Sequence, residues 1–556
     1  MDSRQAEGRT GRAEALTALA GETFDFLVIG GGITGCGIAR EAALAGYRVA
    51  LVERDDFAAG TSSRSSRLIH GGVRYLEHGH LGMVFESSHE RRVLMALAPH
   101  LVRPLAFTWP VYTGARVPKW KVRAGLLLYD VLALFRNVGN HESLDAAGIL
   151  AREPALATER LEGGARYWDA ATNDTRLTLA TARGARASGA VVLNHAGVVG
   201  PLRNAHHRLA GALVHDHLAN QTLEVRARVV INATGPWSDA TAALTGESSG
   251  HQVLGSAGTH VLVPRHRIGN RDAVTIVSPL DGRVMFVLPA GAHTIIGTTE
   301  GPAKHGPDEI RATERDVTYL LDTANRLFPH AALGPADVIS AWCGIRPLAA
   351  ARAGEHSANA ASREHAITHR ADGLVSVTGG KLTTYRAMAA DVFRHALREL
   401  GDTTRHVVPT GDTRDSAHTP LPGGNFASRD ALLADVLAAT RDDAMSEHLM
   451  HAYGSEWTRV WQHAAHEANH AEHIVPGLPY LMAEVSYAIA HEWACTLSDV
   501  LIRRTHIAFE TRDHGRSAAR RIAPLMGAAL GWSDEQQHRA VAEYDGDVTR
   551  IFSIEK

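Results

Sequence analysis

Cysteine is scarce in this chain. Cys36, Cys343 and Cys495 are the only three. They are far apart and odd in number, so they form neither a disulfide framework nor a zinc pattern, and they fit a reducing compartment. Long apolar runs are also missing. None approaches the ~18 residues needed to span a bilayer; the longest, Ala124 to Phe135, is short and interrupted by Asp130. No block of like charge occurs and the net charge is only -3, which argues against a nucleic-acid binder. The polar N-terminus lacks the apolar stretch of a secretory signal, and residues 1–22 read as a flexible leader. Lysine is the last scarcity. Lys119, Lys121, Lys304, Lys381 and Lys556 are the only lysines, so a lysine inside a motif is less apt to be filler.

What is present suits a globular protein of two or three domains. The chain has 556 residues, 45% hydrophobic and 21% charged, too many for one core. Phe24 to Gly30 reads as a buried parallel strand, followed by a helix from about Thr34 to Ala45 and a second strand, Tyr47 to Glu53. Between strand and helix stands Gly30-Gly31-Gly32-Ile33-Thr34-Gly35, a G-x-G-x-x-G. Its first glycine makes the turn, the second admits a pyrophosphate, and the third lets helix and strand pack closely. Glu53, about 20 residues on, stands where an acid binds ribose hydroxyls. The motif alone is a weak signal. With both strands and the acid in place, a purely structural turn becomes the minority reading.

Three features point to FAD rather than NAD. The unit lies near the N-terminus of a long chain, and a Ser- and Arg-rich loop follows, Thr61 to Arg67. Two later strands also end in glycine, at Asn232 to Gly235 and Thr378 to Gly380, as if the chain returned to one extended cofactor. Gly258 to Pro264, Val284 to Pro289 and His293 to Gly297 read as antiparallel strands. After a polar linker, sequence rich in Ala, His and Trp reads as helical from about residue 420.

Several motifs together resemble the FAD-dependent glycerol-3-phosphate dehydrogenases. They are Ile29 to Gly37 (IGGGITGCG), Ser65 to His78 (SSRLIHGGVRYLEH), Asn232 to Trp237 (NATGPW), Cys343 to Leu348 (CGIRPL) and Gly379 to Arg386 (GGKLTTYR). Glu484 to Thr505 extends the resemblance into the tail. Glu41 and Ala45 depart from the family pattern, on the first helix after the turn. The resemblance implies an α/β fold with a discontinuous, Rossmann-like FAD-binding domain (23–108 with parts of 170–260 and 340–400). It also implies an antiparallel-sheet substrate domain (109–169 and 261–339) and a helical C-terminal domain (420–556).

Carried over by position, FAD contacts fall on Gly30, Gly32, Ile33, Thr34, Gly35, Glu53, Thr61, Ser62, Ser63, Arg67, Leu68, Gly235, Gly379, Gly380, Lys381, Leu382 and Thr383. Substrate-anion contacts fall on Arg74, Tyr75, Arg346, Arg363 and Lys381. A phosphate dianion needs several fixed cations, and arginine forks match its oxygens; singly, each of these arginines would more often be a solvated charge. His260 is the expected base for the hydroxyl proton because a histidine pKa lies near working pH. With 33 histidines in the chain, a bland role competes. His70 is the runner-up, and Arg346 could stabilise developing charge.

The implied reaction is oxidation of sn-glycerol 3-phosphate to dihydroxyacetone phosphate, with hydride passing to flavin N5 and electrons to a quinone. The implied setting is cytoplasmic, as a homodimer peripheral on the inner face of the cell membrane. Lys119 to Phe135, basic residues and Trp before an apolar helix, suits interfacial contact, although a core helix reads about as well. The rivals are an oxidase using oxygen, an amine-oxidising relative such as glycine or sarcosine oxidase, and a non-catalytic FAD-binding protein. His466 to His470 is H-E-x-x-H, the zinc-protease pattern. In a histidine-rich tail far from any cofactor strand it reads as chance, as does His365 with His369, and no metal is expected.

Overall fold

A computed structural model of the chain describes residues 3–246, 253–349, 365–401, 415–466 and 470–556. The strand Thr23–Ile29 lies at the centre of the first sheet. Its parallel neighbours are Val49–Val52 and Gln221–Asn232. Val191–Leu193 and Leu374–Thr378 extend the parallel order on either side. Near-continuous Val, Ile and Leu suits strands covered on both faces, and the helices Ile33–Leu44 and Tyr385–Leu400 share one core with them through Phe26, Ile38, Val229 and Phe393. Parallel strands share one direction, so the turns after Ile29, Asn232 and Thr378 meet at one edge. That edge is where ligands bind in such sheets.

The second sheet is mostly antiparallel and includes Val102–Tyr112, Leu161–Thr172, Val253–Pro264 and Ser340–Ala349. Val284–Ala290 and His293–Gly297 form the expected hairpin, turning through Gly291 at φ 62. One pairing departs from the expectation: Ala273–Val277 runs parallel to Val102–Tyr112. The two-residue period of a strand divides the side chains between two cores. Val261 and Val263 join the core beneath the helix Glu314–Leu327, whereas Leu262 joins the C-terminal helices.

Those helices include Arg429–Thr440, Met482–His491, Arg516–Leu530 and Asp534–Phe552. Buried ion pairs tie them to the first domain. Arg503 reaches Asp56 at 2.6 Å and Asp499 at 2.7 Å, Arg504 pairs with Asp56, and Arg176 meets Glu492 at 2.8 Å. Asp56, His195 and Asp499 lie close enough to suggest a metal site, but the two arginines already neutralise both carboxylates. At the N-terminus the expected flexible leader is instead a helix, Ser3–Gly21. Ala and Leu favour helix there, Leu19 is fully buried, and Arg12 reaches Asp216 at 2.6 Å. Among the described residues, no helix is long and apolar enough to cross a membrane.

Candidate functional site

The glycine turn is a cradle that side chains would fill. Gly30 has φ 108, and a Cβ there would lie 2.8 Å from the Ala233 carbonyl oxygen; at Gly35 a Cβ would lie 1.9 Å from the Gly30 oxygen. The helix Ile33–Leu44 begins at Gly32 without a side-chain cap, which leaves amide N–H groups and the positive end of the helix dipole for an anion. Ser62 steadies the turn, accepting from the Ile33 amide at 3.0 Å. Glu53 accepts from the Gly31 amide at 2.5 Å and from the Asp55 amide at 2.8 Å. Burial, aided by Asp55, pushes its carboxyl up to about 7. A carboxylate has about four acceptor positions, so ribose hydroxyls can still be held.

These groups line one end of a cavity of about 490 Å³. Its walls run past Thr61, Ser62 and Gly235 to Gly379 and Gly380, then to the second sheet at Phe286 and Trp109. Of the cofactor positions expected from sequence, Gly30, Gly32, Ile33, Thr34, Glu53 and Leu68 line it, as do Lys381, Leu382 and Thr383. Gly35, Ser63 and Arg67 are not among the lining residues. Gly35 is spent on helix–strand packing. Ser63 bonds the Gly60 carbonyl at 3.2 Å. Arg67 instead lays its guanidinium on Phe509 at 4.9 Å and on Trp342 at 5.5 Å.

At the far end the cavity gathers His70, Tyr75, His260, Arg346 and Lys381. Lys381 Nζ lies 3.8 Å above the Tyr75 ring, and Arg346 donates to Thr298 Oγ1 at 3.1 Å. Arg74 stands in the turn Val73–His78 but its side chain lies outside the described set. Arg363 lies outside the described residues, as do positions 467–469 of the H-E-x-x-H segment.

His260 is buried and stacks on Trp342, with ring centroids 5.4 Å apart. Gly297 on the adjacent strand makes room, because a Cβ there would lie 2.3 Å from the imidazole. Its Nε2 shares a 2.8 Å hydrogen bond with Ser66 Oγ, and among the described residues Nδ1 has no hydrogen-bond partner. Burial first, then Arg346 and Arg67, lower its pKa to about 3. The expectation of a pKa near working pH is therefore corrected: these groups keep the ring neutral and weakly basic.

Sequence reasoning passed over Ser66, Thr298, Asp169 and Arg64. Ser66 sits inside a motif that was singled out, but nothing local ties it to a histidine almost two hundred positions away. Asp169 anchors the His70 loop, accepting from the Gly71 amide at 2.9 Å and the Tyr129 hydroxyl at 2.6 Å. Arg64 lines the cavity as a buried guanidinium, lowered to about 10 by burial and then by Arg550. An anionic ligand would relieve that destabilisation.

A glycine-turn cradle at a parallel-sheet edge, with Lys381 beside it and a second sheet carrying Arg346 and His260 across the cavity, defines an FAD-dependent oxidoreductase. Residues 25–386 match the family described as FAD dependent oxidoreductase, and residues 414–537 match the C-terminal domain of alpha-glycerophosphate oxidase. The chain is 39% identical to glycerol-3-phosphate dehydrogenase 2 of Mycobacterium tuberculosis, covering 97% of this chain and 90% of that protein. It is 36% identical to the mitochondrial glycerol-3-phosphate dehydrogenase of Homo sapiens, covering 94% and 72%. The crystal structure of the Bacillus halodurans glycerol-3-phosphate dehydrogenase complexed with FAD superposes with a TM-score of 0.79, at 29% identity, covering 99% and 98%. The chain belongs to the FAD-dependent glycerol-3-phosphate dehydrogenase family, and its cofactor is FAD.

Proposed function

We propose that the protein oxidises sn-glycerol 3-phosphate to dihydroxyacetone phosphate and delivers the electrons to a quinone. The observation that carries this reading is the convergence of His260, Arg346 and Lys381 in one cavity with the glycine cradle. Bound FAD supplies the acceptor for the hydride, at flavin N5. Arg346 and Lys381 offset the phosphate dianion, and Arg74 and Arg363 add to that set by motif. The carbinol C–H leaves with its electron pair, the hydroxyl proton goes to His260, and a C=O bond forms. His70 is the alternative acceptor for that proton. An amino-acid substrate would bring one carboxylate, a poorer match than a phosphate dianion for several cations, which disfavours an amine oxidase.

Burial and the Arg346 guanidinium beside it make His260 a weak base. A phosphate dianion arriving near Arg346 offsets that part of the effect and raises basicity, while burial still opposes it. Substrate binding thus makes His260 a stronger base than it is in the free enzyme. The test is anaerobic addition of glycerol 3-phosphate to the purified holoenzyme: bleaching of the oxidised-flavin absorbance is expected. A kcat/KM for glycerol comparable with that for glycerol 3-phosphate would overturn the phosphate assignment.

The choice of quinone over oxygen rests on the surface beside the cavity. The helix Lys119–Leu132 packs on the helix Leu81–Leu97 and on the turn Val73–His78. It leaves Trp120 72% exposed, Leu127 52% and, just beyond its end, Phe135 57%. Basic residues stand at its entry. Such a face suits peripheral contact with a bilayer, where quinones dissolve; the side proposed is the inner face of the cell membrane. Artificial quinones should support faster turnover than oxygen, whereas peroxide formed stoichiometrically at full rate in air would assign an oxidase.

A further inference from the structure

Three residues from separate parts of the chain meet over the end of the cavity that holds Glu53. Arg54 directly follows Glu53. Trp237 follows the glycine turn at Gly235, and Asp308 stands between the short strand Gly301–Pro302 of the second sheet and Ala312–Thr313, which pairs with Ile554–Glu555. Asp308 Oδ1 pairs with Arg54 at 2.9 Å, while its Oδ2 accepts from Trp237 Nε1 at 2.9 Å. The Arg54 guanidinium lies over the Trp237 ring at 5.2 Å. Arg54 and Trp237 line the cavity; Asp308 does not. The Trp237 ring also rests on Gly60, where a Cβ would lie 2.7 Å from it.

We propose that Arg54, Trp237 and Asp308 form a clasp that retains the adenosine half of FAD, with Asp308 as the positioning residue that holds the other two over it. The pyrophosphate cradle and Glu53 fix which end of the cavity takes adenosine. Arg54 and Trp237 belong to the nucleotide-binding sheet, whereas Asp308 belongs to the opposing domain. The clasp therefore closes across the mouth rather than along one wall. Its carboxylate holds both partners at once, so removing it frees the indole N–H and leaves Arg54 to its neighbour Asp55, at 3.2 Å. The inference concerns the cofactor, whichever alcohol is oxidised.

The test follows FAD release from the holoenzyme. Enzyme carrying radiolabelled FAD is chased with excess unlabelled FAD, and label remaining on the protein is counted over time. Loss of one charged hydrogen-bonding partner should speed release about tenfold in Asp308→Ala. Asp308→Asn keeps an acceptor for Trp237 but loses the charge, and should fall between Asp308→Ala and wild type. Asp308 is 55% exposed, so under saturating FAD the melting temperature should fall by no more than about tenfold weaker FAD binding accounts for. That separates a clasp from a general loss of fold. Wild-type release from Asp308→Ala would overturn the proposal. So would a melting temperature in Asp308→Ala lowered well beyond what the weaker FAD binding accounts for.

Discussion

At His260, burial and two nearby guanidinium groups act against protonation, and the consequence is a displaced pH dependence. A base loses activity as pH falls through its pKa. In the free enzyme that value is about 3, so His260 should put no acid limb on kcat/KM between pH 5 and 8, since that parameter reports the free enzyme. Once phosphate offsets Arg346 the value rises. The acid limb of kcat should then lie at higher pH than that of kcat/KM. A kcat/KM limb near pH 6.5 that disappears in His260→Asn would refute this account. His260→Asn itself should lower kcat by about 10²–10⁴-fold, the usual contribution of a general base. Lys381 differs, because a contact remote from the reacting carbon is felt alike in ground and transition states. Lys381→Met should chiefly raise KM for glycerol 3-phosphate. An unchanged KM would remove Lys381 from the clamp.

Elements were legible wherever their signal is local. The strand, glycine turn and helix around Gly30 follow from adjacent residues, as do the strands that end at Asn232 and Thr378. Gly35→Ala would place a methyl group 1.9 Å from the Gly30 carbonyl oxygen, so backbone must shift. That variant should purify with little bound flavin; full flavin content would show that the cradle tolerates the shift. Long-range joins were not legible. Ser66 meets His260 across 194 positions and Asp56 meets Arg504 across 448, and no periodicity encodes either partner. The leader helix was missed for a related reason: its order comes from docking Leu19 and Arg12 on distant strands, not from a strong pattern of its own. The helix Lys119–Leu132 was recognised as apolar, yet sequence alone could not say which side stays exposed. Changing Leu127, Val131 and Phe135 to serine should abolish co-sedimentation with anionic vesicles while leaving flavin content intact. Unchanged co-sedimentation would show that this face is not the contact.

The whole molecule depends on buried charges joining its C-terminal helices to the nucleotide-binding sheet, and these give stability a two-sided pH dependence. Burial opposes ionisation of Glu492 and Asp499, but Arg176 and Arg183 hold the first below its ordinary value. His195 and Arg503 hold the second well below its own. A carboxyl depressed on folding contributes stability above its unfolded pKa, about 4, and loses it as pH falls through the folded value. His195 behaves oppositely. Burial favours the neutral ring, yet Asp499 at 2.9 Å outweighs it and raises the pKa. That stabilisation is complete below about pH 6.5, the unfolded value, and is lost as pH rises through the raised one. The melting temperature should therefore fall steeply on acidification below about pH 4 and decline gently above neutrality. His195→Gln retains a hydrogen-bonding side chain but cannot titrate, so it should flatten the alkaline decline and leave the acid limb in place. An alkaline decline as steep in His195→Gln as in the wild type would assign that slope to other groups. Glu492→Gln leaves Arg176 buried without its counter-charge, a change that costs about 3–5 kcal/mol in such pairs. It should lower the melting temperature at neutral pH and have much less effect in acid, where the wild-type carboxyl is itself protonated.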